Sequence, residues 1–457
     1  MSLNFLATRF QCSWPWSTLV LLSDGRLVCG CADPYGRRVL GDARAATVRD
    51  VWAGPAVAAL RADLNAGGSR FCGDCPLKLP LERGEAPAQR PLDAGPLPSR
   101  LYIECTAACN ISCADACCAP ETGITRTRQA GMLDFDLFTR IVDETGASLV
   151  RIDFFNYGEA FLHKRAIEMC EYIKTKFPHV YLYTSTNGLA FDESRARRLV
   201  HSGIDEVTFS IDGARQESYV KYRRRGRFES AVANLRAMAD EKRRSGRDLP
   251  FLNWRYILFV WNDSDEEMRE ARRLAADVGA DRLCWELTDH PEHAYSRRFA
   301  PGAPALAGIR REIWDDNNLG NAIEGATPRA RIEVRAGRFA LWPRRPLVAR
   351  AGAPLRVETT VRNLSTRPFA AQATYGRRLV RLGAQLCDAG GTVIDRDFAR
   401  AWLPRTLPPG DEVEVAIEMA APGTPGRYAL KFDLVSEGID WFERCGSETT
   451  VRPLVVG

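Results

Sequence analysis

The chain lacks an apolar run that would cross a membrane. Its longest early hydrophobic stretch, Leu19–Leu22, is far shorter than a spanning helix, and Met1–Arg9 holds no basic segment leading into an apolar one. It also has little net charge. Sixty-three Lys and Arg against 58 Asp and Glu leave +5 over 457 residues, too small an excess to argue for nucleic acid. The basic run Arg223–Arg225 reads as a solvated face. Evenly spaced cysteine pairs, the mark of a disulfide framework, are absent too: ten of the fourteen cysteines precede residue 119. What is present is an ordinary globular composition, 45% hydrophobic and 26% charged, with length for about three domains. Clustered thiols need a reducing compartment, so the expectation is a cytoplasmic protein without membrane or nucleic-acid partners.

Cys105 to Cys118 read C-T-A-A-C-N-I-S-C-A-D-A-C-C, five cysteines in fourteen positions. Tetrahedral zinc sites usually come as separated pairs. Three thiolates on one short loop, with no fourth demanded by the spacing, suit a 4Fe–4S cluster that keeps one iron open. An open iron can bind a ligand that must react. The segment resembles the signature of the radical S-adenosylmethionine superfamily, whose members cleave that sulfonium to a 5′-deoxyadenosyl radical. The usual C-x3-C-x2-C spacing is missing, because the third cysteine would fall on Ser112, Ala116 or Pro120. The spacing present is C-x3-C-x3-C. Because Cys109 is followed by Asn110 and a strand-like run precedes it, the resemblance selects Cys109, Cys113 and Cys117. Cys105 and Cys118 are left without a ligand role, and Ala116 replaces the aromatic that often packs on adenine.

The first 76 residues hold a second group: Cys12, Cys29, Cys31, Cys72 and Cys75. Leu19–Leu22 and Arg26–Cys29 flank a Ser-Asp-Gly turn, a hairpin signal. Cys72-Gly-Asp-Cys75 supplies a C-x2-C pair. Cys29 and Cys31 share a strand face, so either suits the fourth ligand of a four-thiolate site; a zinc ribbon is the alternative. The pattern resembles half of the auxiliary-cluster domain called SPASM, here ahead of the radical domain instead of after it. Prolines at 76, 80, 87, 91, 96 and 98 then read as an extended linker.

Strand-like runs near 101–105, 149–155, 179–184, 205–211, 254–260 and 282–287 alternate with helical patterns. Such alternation predicts α/β architecture with a parallel sheet, doubly wound or an incomplete barrel; the resemblance implies a partial (β/α)6 TIM-like barrel. Ser264 and Glu267 read as a capping box. After about residue 330, short strands separated by turns predict an all-β Ig-like sandwich. The expected domains are 1–98 (auxiliary iron–sulfur domain and linker), 99–300 (radical core) and 301–457 (linker and sandwich).

In parallel α/β folds chemistry gathers at the carboxyl ends of strands. Tyr157-Gly158-Glu159, Asn187-Gly188, Ser210 and Asp212-Gly213, and Glu286 all fall there. The resemblance implies that Tyr157, Gly158 and Glu159 stand where the family binds the methionine ammonium, with Asn187 beside them. It implies that Ser210 and Asp212 meet the ribose. Glu104, Asp153, Glu286 and Asp289 are candidate acceptors for a cationic substrate. His163 and His290 are candidate proton donors. Each has a plainer reading as a salt bridge or structural histidine.

The spacing and three-part layout resemble radical dehydratases of aminoglycoside biosynthesis, of the apramycin and lividomycin type. That implies removal of the 3′-hydroxyl of paromamine through a 4′-keto intermediate. The cofactors would be a radical 4Fe–4S cluster, an auxiliary 4Fe–4S cluster and S-adenosylmethionine. A flavodoxin- or ferredoxin-type reductant and a separate NAD(P)H-dependent reductase would be partners. Two other readings are a SPASM-type radical enzyme modifying a ribosomal peptide, and a non-enzymatic carbohydrate-binding scaffold with structural zinc.

Overall fold

The computed structural model describes every residue except 1–7, 32, 34, 74, 76, 82–85, 88, 114–127, 129–130, 289–290, 292, 301–302, 310–311, 314–328, 336–345, 366–367, 370, 372–379, 437–439 and 446. The chain forms two compact units, residues 1–314 and 315–457. The expected auxiliary domain and radical core thus fall in one unit, and a strand pairing explains why.

Nine strands share one sheet in the first unit: β1 (Thr18–Leu21), β2 (Arg26–Val28), β3 (Val39–Asp42), β4 (Arg100–Ile103), β5 (Arg151–Asp153), β6 (Tyr181–Thr186), β7 (Glu206–Ser210), β8 (Phe251–Ile257) and β9 (Arg282–Glu286). Their order is β9-β8-β7-β6-β5-β4-β1-β2-β3. From β4 to β9 every pairing is parallel and follows chain order. A doubly wound sheet would reverse direction at a switch point. This one does not. Crossovers of one hand and one direction place all the helices on a single face. The antiparallel hairpin β1–β2, turning at Gly25 (φ 87°), joins the sheet through parallel pairing of β1 with β4, Leu19 opposite Leu101.

Alternation along the strands sorts side chains between the two faces. Leu101, Ile103, Ile152, Leu182, Val207, Phe209 and Leu252 are buried on the apolar face. The other face is polar and bonded across strands: Arg100 to Asp153, Arg151 to Asp153, and Ser185 with Ser210. Helices α1 (Val48–Trp52) and α2 (Pro55–Asn65) belong to the N-terminal segment. The helices α3 (Phe135–Thr145), α4 (Ala166–Lys176), α5 (Glu193–His201), α6 (Gln216–Tyr222), α7 (Phe228–Ser245) and α8 (Asp265–Val278) lie between the later strands. Ser264 caps α8 by accepting from the Glu267 amide, but the Glu267 carboxylate accepts from the Ala214 amide and Ser218 instead of closing the box. Tertiary partners outcompeted the local one. The Pro-rich segment is not a free tether either: Trp16 donates to the Pro91 carbonyl (2.6 Å), Arg61 to that of Leu92 and Asn65 to that of Arg90.

The second unit is β-rich, with a short 3-10 turn at Phe442–Cys445. One sheet joins 330–334, 354–363 and 412–420. The other joins 347–349, 450–456, 426–436, 380–387 and 393–402, with Asp440–Trp441 on its flank. Ile332, Val361 and Ile417 of the first share one apolar core with Leu382, Phe432 and Leu454 of the second. No described helix is long and apolar enough to cross a membrane.

Candidate active site and auxiliary cysteine site

Strand β4 runs into Glu104 and then the cysteine loop. The loop is held from beneath by the turn after β5. Gly158 adopts φ 84°, and a Cβ there would lie 2.3 Å from the Thr106 carbonyl oxygen and 2.7 Å from that of Ala108. Only glycine lets the two backbones approach this closely. The next amide, Glu159 N–H, donates to the Ala108 carbonyl (2.8 Å). The Gly-Glu pair is therefore packed directly against the loop.

Glu159 is buried. Its oxygens accept from Thr186 Oγ1 (2.8 Å), the Asn187 amide (2.8 Å) and the Phe161 amide. Among the described residues no cation forms a salt bridge with it, and burial raises its carboxyl above the usual range despite those donors. The site suits a cationic group. Asn187 extends the contact to the cysteines: its Nδ2 donates to Asn110 Oδ1 (2.8 Å) and lies 3.7 Å from Cys109 Sγ.

Cys113 is approached from the other side. Ser112–Cys113 forms a short antiparallel ladder with Arg223–Arg224. Arg223 Nη1 donates to Cys113 Sγ (3.2 Å), and its Nε donates to Asp212 Oδ2 (2.5 Å). The basic run is thus no uniform solvated face. Arg223 turns inward, anchored by a wholly buried carboxylate, and its only sequence signal is its place in that run. Asp212 also accepts from the Ile257 amide (2.7 Å). With one donor on each oxygen, it anchors Arg223 at the end of β7. Ser210 shares its hydroxyl with Ser185 and accepts from Arg255 (2.9 Å). Tyr157 is half-buried at the same strand end.

Cys105 is 1% exposed, and burial beside Cys170 and Glu104 drives its thiol far above the normal range. It belongs to the core. Cys109, partly exposed, and Cys113 are the loop thiols that the structure places beside Asn187 and Arg223. Cys117 and Cys118, like Asp289 and His290, lie outside the described residues.

The polar candidates at the strand ends are already engaged. Glu104 accepts two hydrogen bonds from Arg128 (2.7 and 2.8 Å), both the amide and hydroxyl of Ser23, and Asn156. It ties the hairpin turn to the end of β4, already engaged by five donors where it was expected to accept from a cationic substrate. His163 Nε2 bonds the Leu133 carbonyl (3.0 Å) while Nδ1 accepts from the Arg165 amide, so the ring is structural; burial lowers its pKa and keeps it neutral. Asp153 is sandwiched between Arg100 and Arg151. Glu286 lies 3.1 Å from Arg255 Nε but out of hydrogen-bond alignment.

The N-terminal cysteines form a different site. Cys12, Cys29, Cys72 and Cys75 line one enclosed cavity of about 20 Å³ with Arg38 and Lys78. Cys31 does not line it. The strand ends at Val28 and Gly30 takes φ 82°, so Cys29 and Cys31 do not continue on one face. Burial, then Cys75, pushes Cys72 up to about 12. Burial, then Cys12, raises Cys29 further still. Three buried thiols and the partly exposed Cys29 raise one another's pKa, and a bound metal group would hold them as thiolates. No three described side chains converge closely enough for a single metal ion. Trp14, on the cavity wall, packs on Tyr102 of β4 (5.6 Å between ring centres), which meets Phe155 (5.7 Å) and then Tyr183.

Residues 103–275 match the radical SAM superfamily, and residues 12–76 match the iron–sulfur cluster-binding domain SPASM. The chain therefore carries a radical SAM domain joined to a SPASM module. The first implies a 4Fe–4S cluster and S-adenosylmethionine, the second auxiliary iron–sulfur clusters.

Among curated relatives, GTP 3′,8-cyclase of Desulforamulus reducens is 29% identical over 30% of this chain and 41% of its own. The GTP 3′,8-cyclase of Rhodococcus opacus is 29% identical over 46% and 66%. Mycofactocin maturase MftC of Mycolicibacterium smegmatis is 27% identical over 40% and 43%. Each match spans less than two thirds of the relative. Streptococcus suis SuiB bound to S-adenosylmethionine superposes with TM-score 0.36 at 14% identity, over 47% of this chain and 45% of that one.

Proposed function

We propose that this protein is a radical S-adenosylmethionine enzyme with an auxiliary iron–sulfur cluster. The observation that carries the reading is the Gly158-Glu159 turn packed under the cysteine loop, which leaves a buried carboxylate with no salt-bridging cation among the described residues beside Asn187 and Cys109. When bound and reduced, the cluster with S-adenosylmethionine supplies a 5′-deoxyadenosyl radical. Cys109, Cys113 and Cys117 would hold that cluster. Glu159 would receive the methionine ammonium, Asn187 would fix the loop, and Arg223 would place positive charge on Cys113. Cys12, Cys29, Cys72 and Cys75 would hold the auxiliary cluster; the iron–sulfur match over 12–76 displaces the zinc-scaffold alternative. The test is anaerobic reconstitution with titanium(III) citrate as reductant, scoring 5′-deoxyadenosine and methionine. Unchanged S-adenosylmethionine affinity in Glu159→Gln would overturn the assignment of that carboxylate.

For the substrate, the finer reading is dehydration of an aminoglycoside, with loss of the paromamine 3′-hydroxyl as water and a 4′-keto, 3′-deoxy product for a separate NAD(P)H-dependent reductase. It rests on the C-x3-C-x3-C spacing, on the layout of an iron–sulfur module before a parallel α/β domain, and on a β-rich unit after it. Glu286 is the interior carboxylate best placed to receive an amino group, because its contact with Arg255 lacks hydrogen-bond alignment. The likeness to mycofactocin maturase favours a second reading, a ribosomal peptide as substrate. Mass spectrometry after turnover separates them: paromamine losing water supports the first, and turnover of a peptide alone supports the second.

A further inference from the structure

The surface of this chain is laced with ion pairs. Exposed arginines sit against carboxylates throughout the first unit, as in Arg165–Glu168, Arg198–Glu171, Arg215–Glu266 and Arg273–Glu270. One segment departs from the pattern. Between 221 and 227 the sequence reads K-Y-R-R-R-G-R, and Lys221, Arg224, Arg225 and Arg227 are exposed with no salt bridge to any described residue. Arg223, the inward member, is the one paired with Asp212.

These four cations stand beside the cysteine loop, because the ladder sets Arg224 opposite Ser112 and Arg223 opposite Cys113. The chain turns sharply there: Arg225 holds φ 65°, and the Gly226 amide donates to the Arg223 carbonyl (2.9 Å). A non-glycine residue in that region costs about 1 kcal/mol or more, so surrounding structure fixes the turn. A groove of about 470 Å³ opens between Asn110 and Ile111 of the loop and Arg225 and Arg227. Its one carboxylate, Asp192, is committed to capping α5, accepting from the Arg195 amide (2.9 Å). The opposite wall is α7, through Ser230 and Asn234, and α7 packs on the helix-covered side of the sheet. An occupant of the groove can therefore touch the cysteine loop without entering the polar interior face where Ser210 and Arg255 lie.

We propose that Lys221, Arg224, Arg225 and Arg227 form the docking face for an acidic one-electron carrier protein, which reduces the cluster held at Cys109 and Cys113. This rests on reading that loop as the radical cluster site. A reactant must reach the polar interior; an electron need only reach the loop. In the transfer the carrier loses one electron and the cluster gains one, with no bond made or broken. Like charges on one rim, with no salt bridge to any described residue, are stabilised when an acidic partner covers them, and they steer its approach at low salt.

The test uses the full-length reconstituted protein and compares cluster bleaching by photoreduced flavodoxin, an acidic carrier, with bleaching by titanium(III) citrate. In Arg224→Glu/Arg227→Glu the flavodoxin rate at low ionic strength should fall about tenfold or more, while the titanium rate and iron content stay at wild-type levels. Added salt should erase the difference between wild type and variant. The milder Lys221→Ala/Arg224→Ala/Arg227→Ala should show a smaller loss of the same kind. An unchanged flavodoxin rate overturns the proposal. So does equal slowing with both reductants, which would show the cations acting on the cluster, and so does an unchanged flavodoxin rate alongside weakened binding of an acidic peptide. Failure of wild type to release 5′-deoxyadenosine even with titanium citrate would instead defeat the parent reading.

Discussion

The two cysteine sites of this protein are built on opposite plans. At the N-terminus, Cys12, Cys29, Cys72 and Cys75 face a small closed cavity walled by Trp14, Pro15 and Leu77. At the end of β4, Cys109 is partly exposed, and the polar groups around it, Asn187, Glu159 and Arg223, come from the ends of other strands and from the segment after α6. On the proposed reading, four thiols around one cavity would leave a cluster no position for a reacting ligand, whereas three on the loop, beside a buried carboxylate with no salt-bridging cation among the described residues, would leave one. Thiol number and enclosure would together separate an electron-holding site from a reacting one.

The harshest way to test that contrast is to empty each site in turn. Replacing Cys109, Cys113 and Cys117 by Ala should leave about four of about eight irons per chain and abolish release of 5′-deoxyadenosine. Replacing Cys12, Cys29, Cys72 and Cys75 should also leave about four irons but retain cofactor cleavage. If the first variant kept only zinc at the remaining site, the auxiliary cluster would be disproved. A finer cut is Cys29→Ser against Cys31→Ser: the first should lose the auxiliary iron and the second should keep it, as read by iron content and Mössbauer spectra.

Gly158→Ala tests the packing beneath the open site. A Cβ between the Thr106 and Ala108 carbonyls, at positive φ, should cost about 3 kcal/mol of stability or more and weaken S-adenosylmethionine binding. An unaltered denaturation midpoint would mean the loop is not held there.

Glu159→Gln should have a milder, two-sided effect. Loss of the charged partner should weaken S-adenosylmethionine binding about tenfold to a hundredfold in calorimetry, with cluster absorbance intact. The pH dependence follows from the direction of the shift. Burial raises the carboxyl of Glu159 above its ordinary 4.5, so its contribution to stability is full below that pH and is lost as pH climbs through the raised value. Ligand-free Glu159→Gln should therefore fall off less steeply than wild type above pH 4.5. A parallel pH profile for the two proteins would show that the carboxylate is compensated without the cofactor. Smallest of all, Arg223→Leu should shift the loop cluster's reduction potential downward while leaving the auxiliary signal unmoved, as seen in a redox titration followed by electron paramagnetic resonance.

Much of this was legible locally. The six parallel strands follow from hydrophobic runs bounded by turn residues, and the helices α3, α7 and α8 from apolar spacing, because hydrogen-bond period and side-chain direction are set within a few residues. The crowding of Cys109, Cys113 and Cys117 on one loop, and of Gly158, Glu159 and Asn187 at strand ends, is likewise written in the order of the chain. Tertiary structure decided what those groups meet. Glu104 looked available until Arg128 and Ser23, separated from it by 24 and 81 positions, took its oxygens. Arg223 looked solvated until the ladder to Cys113, 110 positions away, turned it inward. The hairpin's union with β4 was settled the same way. A strand can be recognised from its own residues, but a buried charge is stable only beside its partner. Where that partner lies is determined by the whole sheet closing at once.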